Sequence, residues 1–150
     1  TYHGFFQFSH ESYAFIRQEG GWIIDKNGNL CTYSNPQNWN YPDSQGYISE
    51  QQLLQNLSKC TVSGYNISYE DLLKYNAKVP SAVAGKMSEG ISMGAVIGGY
   101  ANICYWYDES KGMYKQVILS QWGDWRQYNT SKQARNIDQW LRSITTIELY

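Results

Sequence analysis

Trp22-Ile23-Ile24-Asp25-Lys26-Asn27-Gly28-Asn29-Leu30-Cys31-Thr32-Tyr33 decides the fold class. Two runs rich in β-branched and aromatic residues flank Asn27-Gly28. That dipeptide suits a type I′ turn, whose two central residues both take positive φ. The expectation is a tight hairpin that pairs Ile24 with Cys31 and Trp22 with Tyr33. Toward the N-terminus, Phe6 and Phe8 alternate with Phe5, Gln7 and Ser9, and Tyr13 and Phe15 alternate with Ala14 and Ile16. His10-Glu11-Ser12 reads as the turn between these runs, and Gly20-Gly21 as a break. Asn35-Pro36 ends the last strand of the group.

Two helix starts follow. Ser49 caps the first, with Gln52 three residues on and Ile48 and Leu53 placed as a hydrophobic staple. Ser68, Asp71, Ile67 and Leu72 repeat that arrangement. The first helix should end near Ser58 and the second before Pro80. Ala101, Ile103, Tyr105 and Tyr107 then alternate with Asn102, Cys104 and Trp106, Asp108 to Gly112 turns the chain, and Met113 to Ser120 returns it. Thr130 and Gln133 read as the capping box of a last helix. Ala134, Ile137, Trp140, Leu141 and Ile144 share its apolar face, and Lys132, Arg135 and Arg142 its polar one. The expected order is βββ-αα-ββ-α across residues 1–150: a single α+β domain, its antiparallel sheet of about five strands, with helices packed mainly on one face.

The composition agrees with one folded domain. The chain has 150 residues, with 12 Lys+Arg against 13 Asp+Glu and a net charge of −1. Only 17% of it is charged while 16% is aromatic, including 14 Tyr and 6 Trp. These values exclude a disordered chain, a coiled coil and a general polyanion binder; the basic excess over residues 111–150 is modest and the basic helix face of Lys132, Arg135 and Arg142 reads as a solvated one, so no nucleic acid is expected. Uncharged amides and hydroxyls in place of Lys and Glu point to an exported protein, with any signal removed upstream of Thr1. Cys31, Cys60 and Cys104 are an odd set at wide spacing, which is no disulfide framework, and they read as small buried apolar residues. The uncharged stretch from Gly90 to Tyr107 barely reaches transmembrane length and is rich in Gly and Tyr; it reads as a glycine loop feeding a strand, not a membrane span.

Motifs for catalysis and metals are lacking. Asp25, Asn27 and Asn29 stand at the first, third and fifth positions of a calcium loop, but Leu30 replaces the required Gly and Pro36 the required Glu. The only histidines, His3 and His10, carry no local signature with any cysteine or serine. Gly85-Lys86 lacks the rest of a phosphate loop. Neither a metal nor a cofactor is expected. The remaining candidates are aromatic: Trp39 and Tyr41 after Pro36, flanked by Asn38 and Asn40, and Trp122, Trp125 and Tyr128 around Gly123-Asp124. Rings beside amides in loops offer apolar faces and hydrogen bonds together, which suits a sugar or a protein partner.

The series Asp25-Lys26-Asn27-Gly28-Asn29, Asn35-Pro36…Trp39, Gly46-Tyr47-Ile48-Ser49, Tyr114-Lys115-Gln116-Val117, Gly123-Asp124 and Trp140-Leu141…Ile144 resembles small bacterial envelope proteins, typically lipoproteins. The resemblance implies an exported or lipid-anchored domain and no catalytic residue. The reading is therefore a non-catalytic envelope domain that binds a protein or glycan through loop aromatics. The alternatives are a small envelope hydrolase with a dispersed site, or an inhibitor or immunity-type protein.

Overall fold

The structure, a computed structural model, describes residues 4–94 and 97–145. Strand β1 (Phe6–Ser12) is its axis. It pairs antiparallel with β2 (Gln18–Ile24) on one side and with β7 (Gly98–Asp108) on the other. Beyond β2 lie β3 (Asn29–Ser34) and β5 (Thr61–Asn66). Beyond β7 lie β8 (Met113–Gly123), β9 (Trp125–Tyr128) and β6 (Ile91–Ser92), with β4 (Tyr47–Ile48) paired to β8. The result is one nine-stranded antiparallel sheet, larger than the five strands expected. The additional strands are short or polar segments that carry little alternation of their own. They acquire strand geometry only by pairing with a neighbour.

Alternation along β1 builds two cores. Phe6 and Phe8 pack with Trp22, Ile24, Leu30, Cys104 and Leu119 under α2 (Tyr69–Asn76), α3 (Val79–Ala84) and α4 (Lys132–Thr145). Phe5 packs with Ile23, Tyr33, Ile103, Tyr105 and Tyr114 on the other face, under α1 (Glu50–Leu57). Helices therefore cover both faces, three on one and α1 on part of the other. The amphipathic stripe of α4 is buried as its spacing requires, with Trp140 stacked 4.1 Å from Tyr75.

The capping arguments hold for α1 and α2. Ser49 accepts from the Gln52 amide while the Gln52 side chain accepts from the Ser49 amide, and Ser68 accepts from the Asp71 amide. The α4 start differs by one residue. Ser131 Oγ accepts from the Ala134 amide, whereas the Thr130 hydroxyl donates to the Lys86 carbonyl and Gln133 accepts from Lys78.

Three other expectations are corrected. The Asn27-Gly28 hairpin exists, but Ile24 pairs with Leu30, Ile23 with Cys31 and Trp22 with Thr32. Of the two turn residues only Gly28 has positive φ, at 86°. The Asp25 carboxylate accepts from the Asn27 and Asn29 amides, which stabilises a three-residue loop and moves the register by one.

His10-Glu11-Ser12 is strand, not turn, because both its neighbours hold it: Gly20, Glu19 and Gln18 on one side, Tyr100, Gly99 and Gly98 on the other. Gly20-Gly21 lies within β2. A Cβ on Gly21 would meet the Phe8 carbonyl oxygen at 1.9 Å, so glycine there permits the close approach of the strands. The turn falls instead at residues 13–17, which leaves Phe15 100% and Ile16 77% exposed and Tyr13 outside the core. The uncharged stretch forms β6 and most of β7, with residues 95–96 outside the described set, and no helix among the described residues is long and apolar enough to cross a membrane.

Leu141→Ala, in the fully buried stripe of α4, should cost about 2–5 kcal/mol. Phe15→Ser should stay within about 0.5 kcal/mol of the parent. Urea denaturation of the two variants checks both values, and a large loss at Phe15 would restore that ring to the core.

Candidate functional site

Two hollows flank β8, one on each face of the sheet. The first is a trough of about 430 Å³ on the α1 side, where α1 leaves the sheet uncovered. Alternation along β1 places Gln7 and Ser9 on its floor and Glu11 at its rim, continuing the face that Phe5 begins. Gln7 donates to the Tyr33 hydroxyl at 2.8 Å and accepts from the Tyr105 hydroxyl at 2.5 Å, and Gln116 donates to Tyr105 at 3.3 Å. This chain of amides and phenols crosses β3, β1, β7 and β8. Burial raises Tyr33 well above the usual phenol range and pushes Tyr105 up to about 12, so both remain neutral hydroxyls.

Trp39 and Tyr41 form one end of the trough. Trp39 stacks on Tyr33 at 4.4 Å, and the Tyr41 hydroxyl donates to Glu19 at 2.7 Å while its ring stays 52% exposed. Trp125 lines the trough from β9, 46% exposed, its indole lying over Gly90, where any Cβ would meet the ring at 1.9 Å.

The second hollow, about 790 Å³, opens on the other face between α4 and β8–β9. Trp122 and Tyr128 lie there. The Trp122 ring stacks on Tyr100 at 5.4 Å and carries the Arg142 guanidinium at 4.0 Å. Of the five expected aromatics, Trp39, Tyr41, Trp122 and Trp125 all line the trough, Trp122 bordering both hollows with its ring turned toward α4, while Tyr128 lines only the second. Moreover, Trp122, Trp125 and Tyr128 are strand residues, because β8 runs on to Gly123 and β9 begins directly after Asp124. A bulge explains how Trp122 reaches the α4 face. Ile103 pairs with Ile118 but Asn102 pairs with Ser120, so β8 holds one extra residue, and everything after it changes sides.

Nothing in the described residues assembles a nucleophile and base. His10 sits among Phe8, Tyr100 and Gly20, and His3 lies outside the described residues. Cys31, Cys60 and Cys104 are free thiols; burial raises all three, with Cys60 pushed up to about 12. No group of three metal-ligating side chains occurs among the described residues. Glu11 and Glu19 do face one another across β1 and β2, at the rim of the trough. Arg17 bridges them at 3.2 and 3.4 Å, and Tyr13 and Tyr41 donate to them, so both carboxylates are already engaged.

Sequence reasoning missed Gln7, Gln116 and Arg126. The first had a legible signal, an amide between Phe6 and Phe8 in a strand buried on both faces. Arg126 had none. No family model matches the chain, and no curated protein or solved structure shows significant similarity to it.

Burial lowers the His10 imidazole below its ordinary 6.5, against the opposing pull of Glu19. The unfolded chain then binds the proton first as pH falls, so this contribution to stability is complete above 6.5 and declines below it. His10→Asn should flatten the difference in urea midpoint between about pH 7.5 and about pH 5.5. An unchanged difference would place the acid sensitivity elsewhere.

Proposed function

We propose that the trough binds a neutral oligosaccharide, and that the chain is a non-catalytic domain of an exported or lipid-anchored envelope protein. One observation carries the binding reading: a floor of uncharged amides and phenols on rigid strands, bordered by Trp39, Tyr41 and Trp125. Sugar rings present apolar faces to aromatic rings and hydroxyls to amides, and a strand-mounted floor loses little entropy on binding. From β2 to β8 the trough crosses three strand spacings, roughly 14 Å, which accommodates several sugar units rather than one. Glu11, Glu19 and Asp124 border it, and their charge favours neutral over acidic glycans. The engagement of Glu11 and Glu19 by Arg17 favours binding over hydrolysis. The envelope reading rests on the amide-rich composition and on the resemblance of its turns and caps.

Trp39→Ala and Tyr41→Ala should each weaken capture of a neutral oligosaccharide about tenfold or more, by analogy with buried aromatic anchors. Tyr128→Ala, on the opposite face, should leave it within about twofold. Glycan-array screening followed by calorimetry on the best hit tests this. Equal losses in all three variants, or no glycan bound by the parent, would reject the trough.

A second reading, a blocking surface of inhibitor type, is favoured by the hairpin tip at residues 13–17. Phe15 and Ile16 project there beside the Glu11–Arg17–Glu19 bridge. Phe15→Ser with Ile16→Ser should abolish capture of a partner enzyme without altering stability. Retained capture would dismiss the tip as its contact.

A further inference from the structure

The second hollow differs from the trough in charge. Arg126 from β9 and Arg135 and Arg142 from α4 line it, against Glu89 and Asp138. Asp138 is already committed: Arg142 Nε donates to it at 2.9 Å, Asn102 at 2.9 Å, and the Ser120 hydroxyl donates as well. Arg142 is thereby fixed in position, its face on Trp122, its Nε on Asp138 and one Nη2 donor on Ser120 at 3.3 Å. A guanidinium has five N–H donors, and two of those on Arg142 are engaged in these bonds. Arg135 lies over Tyr128 at 5.8 Å, and neither it nor Arg126 has an ion pair or side-chain hydrogen bond among the described residues. Glu89 is exposed at the rim. The cleft thus holds three arginines against two carboxylates, with Arg142 held in place by its partners. Its volume of about 790 Å³ is ample for a ligand of several rings.

We propose that this cleft is a second binding site, for an acidic oligosaccharide whose carboxylates are taken by Arg126, Arg135 and Arg142. The spacing favours a sugar chain over an extended peptide. Arg135 and Arg142 are two helical turns apart on α4, about 10.5 Å along its axis. Carboxylates on alternate units of an extended uronate chain recur on that scale. Side chains on one face of an extended peptide recur at roughly 6.6 Å and would engage the two arginines out of step. The Tyr128 ring and the exposed Gln139 amide add the apolar face and hydroxyl partner that a sugar needs. This inference goes beyond the trough, which lies on the opposite face and is bordered by acids.

The test is calorimetry of the whole chain with three probes: a defined oligogalacturonide, the same oligomer with its carboxyls reduced to alcohols, and an oligoglutamate of equal charge. The oligogalacturonide should bind. Arg126→Ala and Arg135→Ala, both exposed substitutions, should each weaken it about tenfold, the scale of a lost charge-assisted hydrogen bond. Trp39→Ala should leave it unchanged, and added salt should weaken it. Loss of binding on carboxyl reduction, with the oligoglutamate bound at least tenfold more weakly, supports the proposal. It is overturned by any of three results: no binding of the oligogalacturonide, equal binding of the reduced oligomer or the oligoglutamate, or dependence on Trp39 in place of the arginines. The last result would leave the trough standing and remove the cleft.

Discussion

The pairing of β1 with β7 is the constraint on which the rest of the structure depends. Phe6 lies opposite Cys104 and Phe8 opposite Asn102, joining segments almost a hundred residues apart in the chain. Without this ladder the N-terminal meander β1–β2–β3 and the hairpin β7–β8 would be two separate small sheets, each with an open edge. With it, every side chain of β1 is assigned to a face. Phe6 and Phe8 go to the core under α4, and Phe5 to the core under α1, whereas Gln7 and Ser9 reach the floor of the trough. The strand therefore builds a core and a candidate binding floor from adjacent residues.

The same ladder explains the chemistry of the floor. An amide buried between two hydrophobic layers must find partners, because an unpaired buried polar group costs about 1–3 kcal/mol. Gln7 satisfies that need through Tyr33 and Tyr105, hydroxyls delivered by the neighbouring strands on the same face. On the opposite side Asp138 performs a comparable role, drawing Asn102, Ser120 and Arg142 onto one carboxylate and seating α4 against β7 and β8. Both networks are local answers to burial. Each leaves adjacent polar groups facing an open hollow, neutral in one case and cationic in the other.

Much of this was legible in the chain. The Asn27-Gly28 turn, the caps at Ser49 and Ser68, the stripe from Ala134 to Ile144 and the alternation from Ala101 to Tyr107 all depend on residues close in sequence, and each appears where its spacing places it. The errors share a cause. Tyr13 and Phe15 alternate as convincingly as Phe6 and Phe8, yet no strand lies beside them, so they turn outward. The bulge at Leu119 carries no local mark, and it alone sends Ser120 and Trp122 to the α4 face. Trp39, Tyr41, Trp122, Trp125 and Tyr128 were identifiable as rings in need of explanation, but not as belonging to opposite sides of a sheet.

Sequence by itself determined the class, α+β with an antiparallel sheet, together with the starts of α1 and α2 and the residues of the α4 stripe. These follow from caps, turn chemistry and periodicity, which act over a few residues. Only the tertiary structure decided the face on which each aromatic lies and the gathering of Arg126 with Arg135 and Arg142. Those outcomes depend on hydrogen bonds and packing between distant segments. A one-residue change in pairing reverses the side to which every following side chain points, and nothing in the local chain records it.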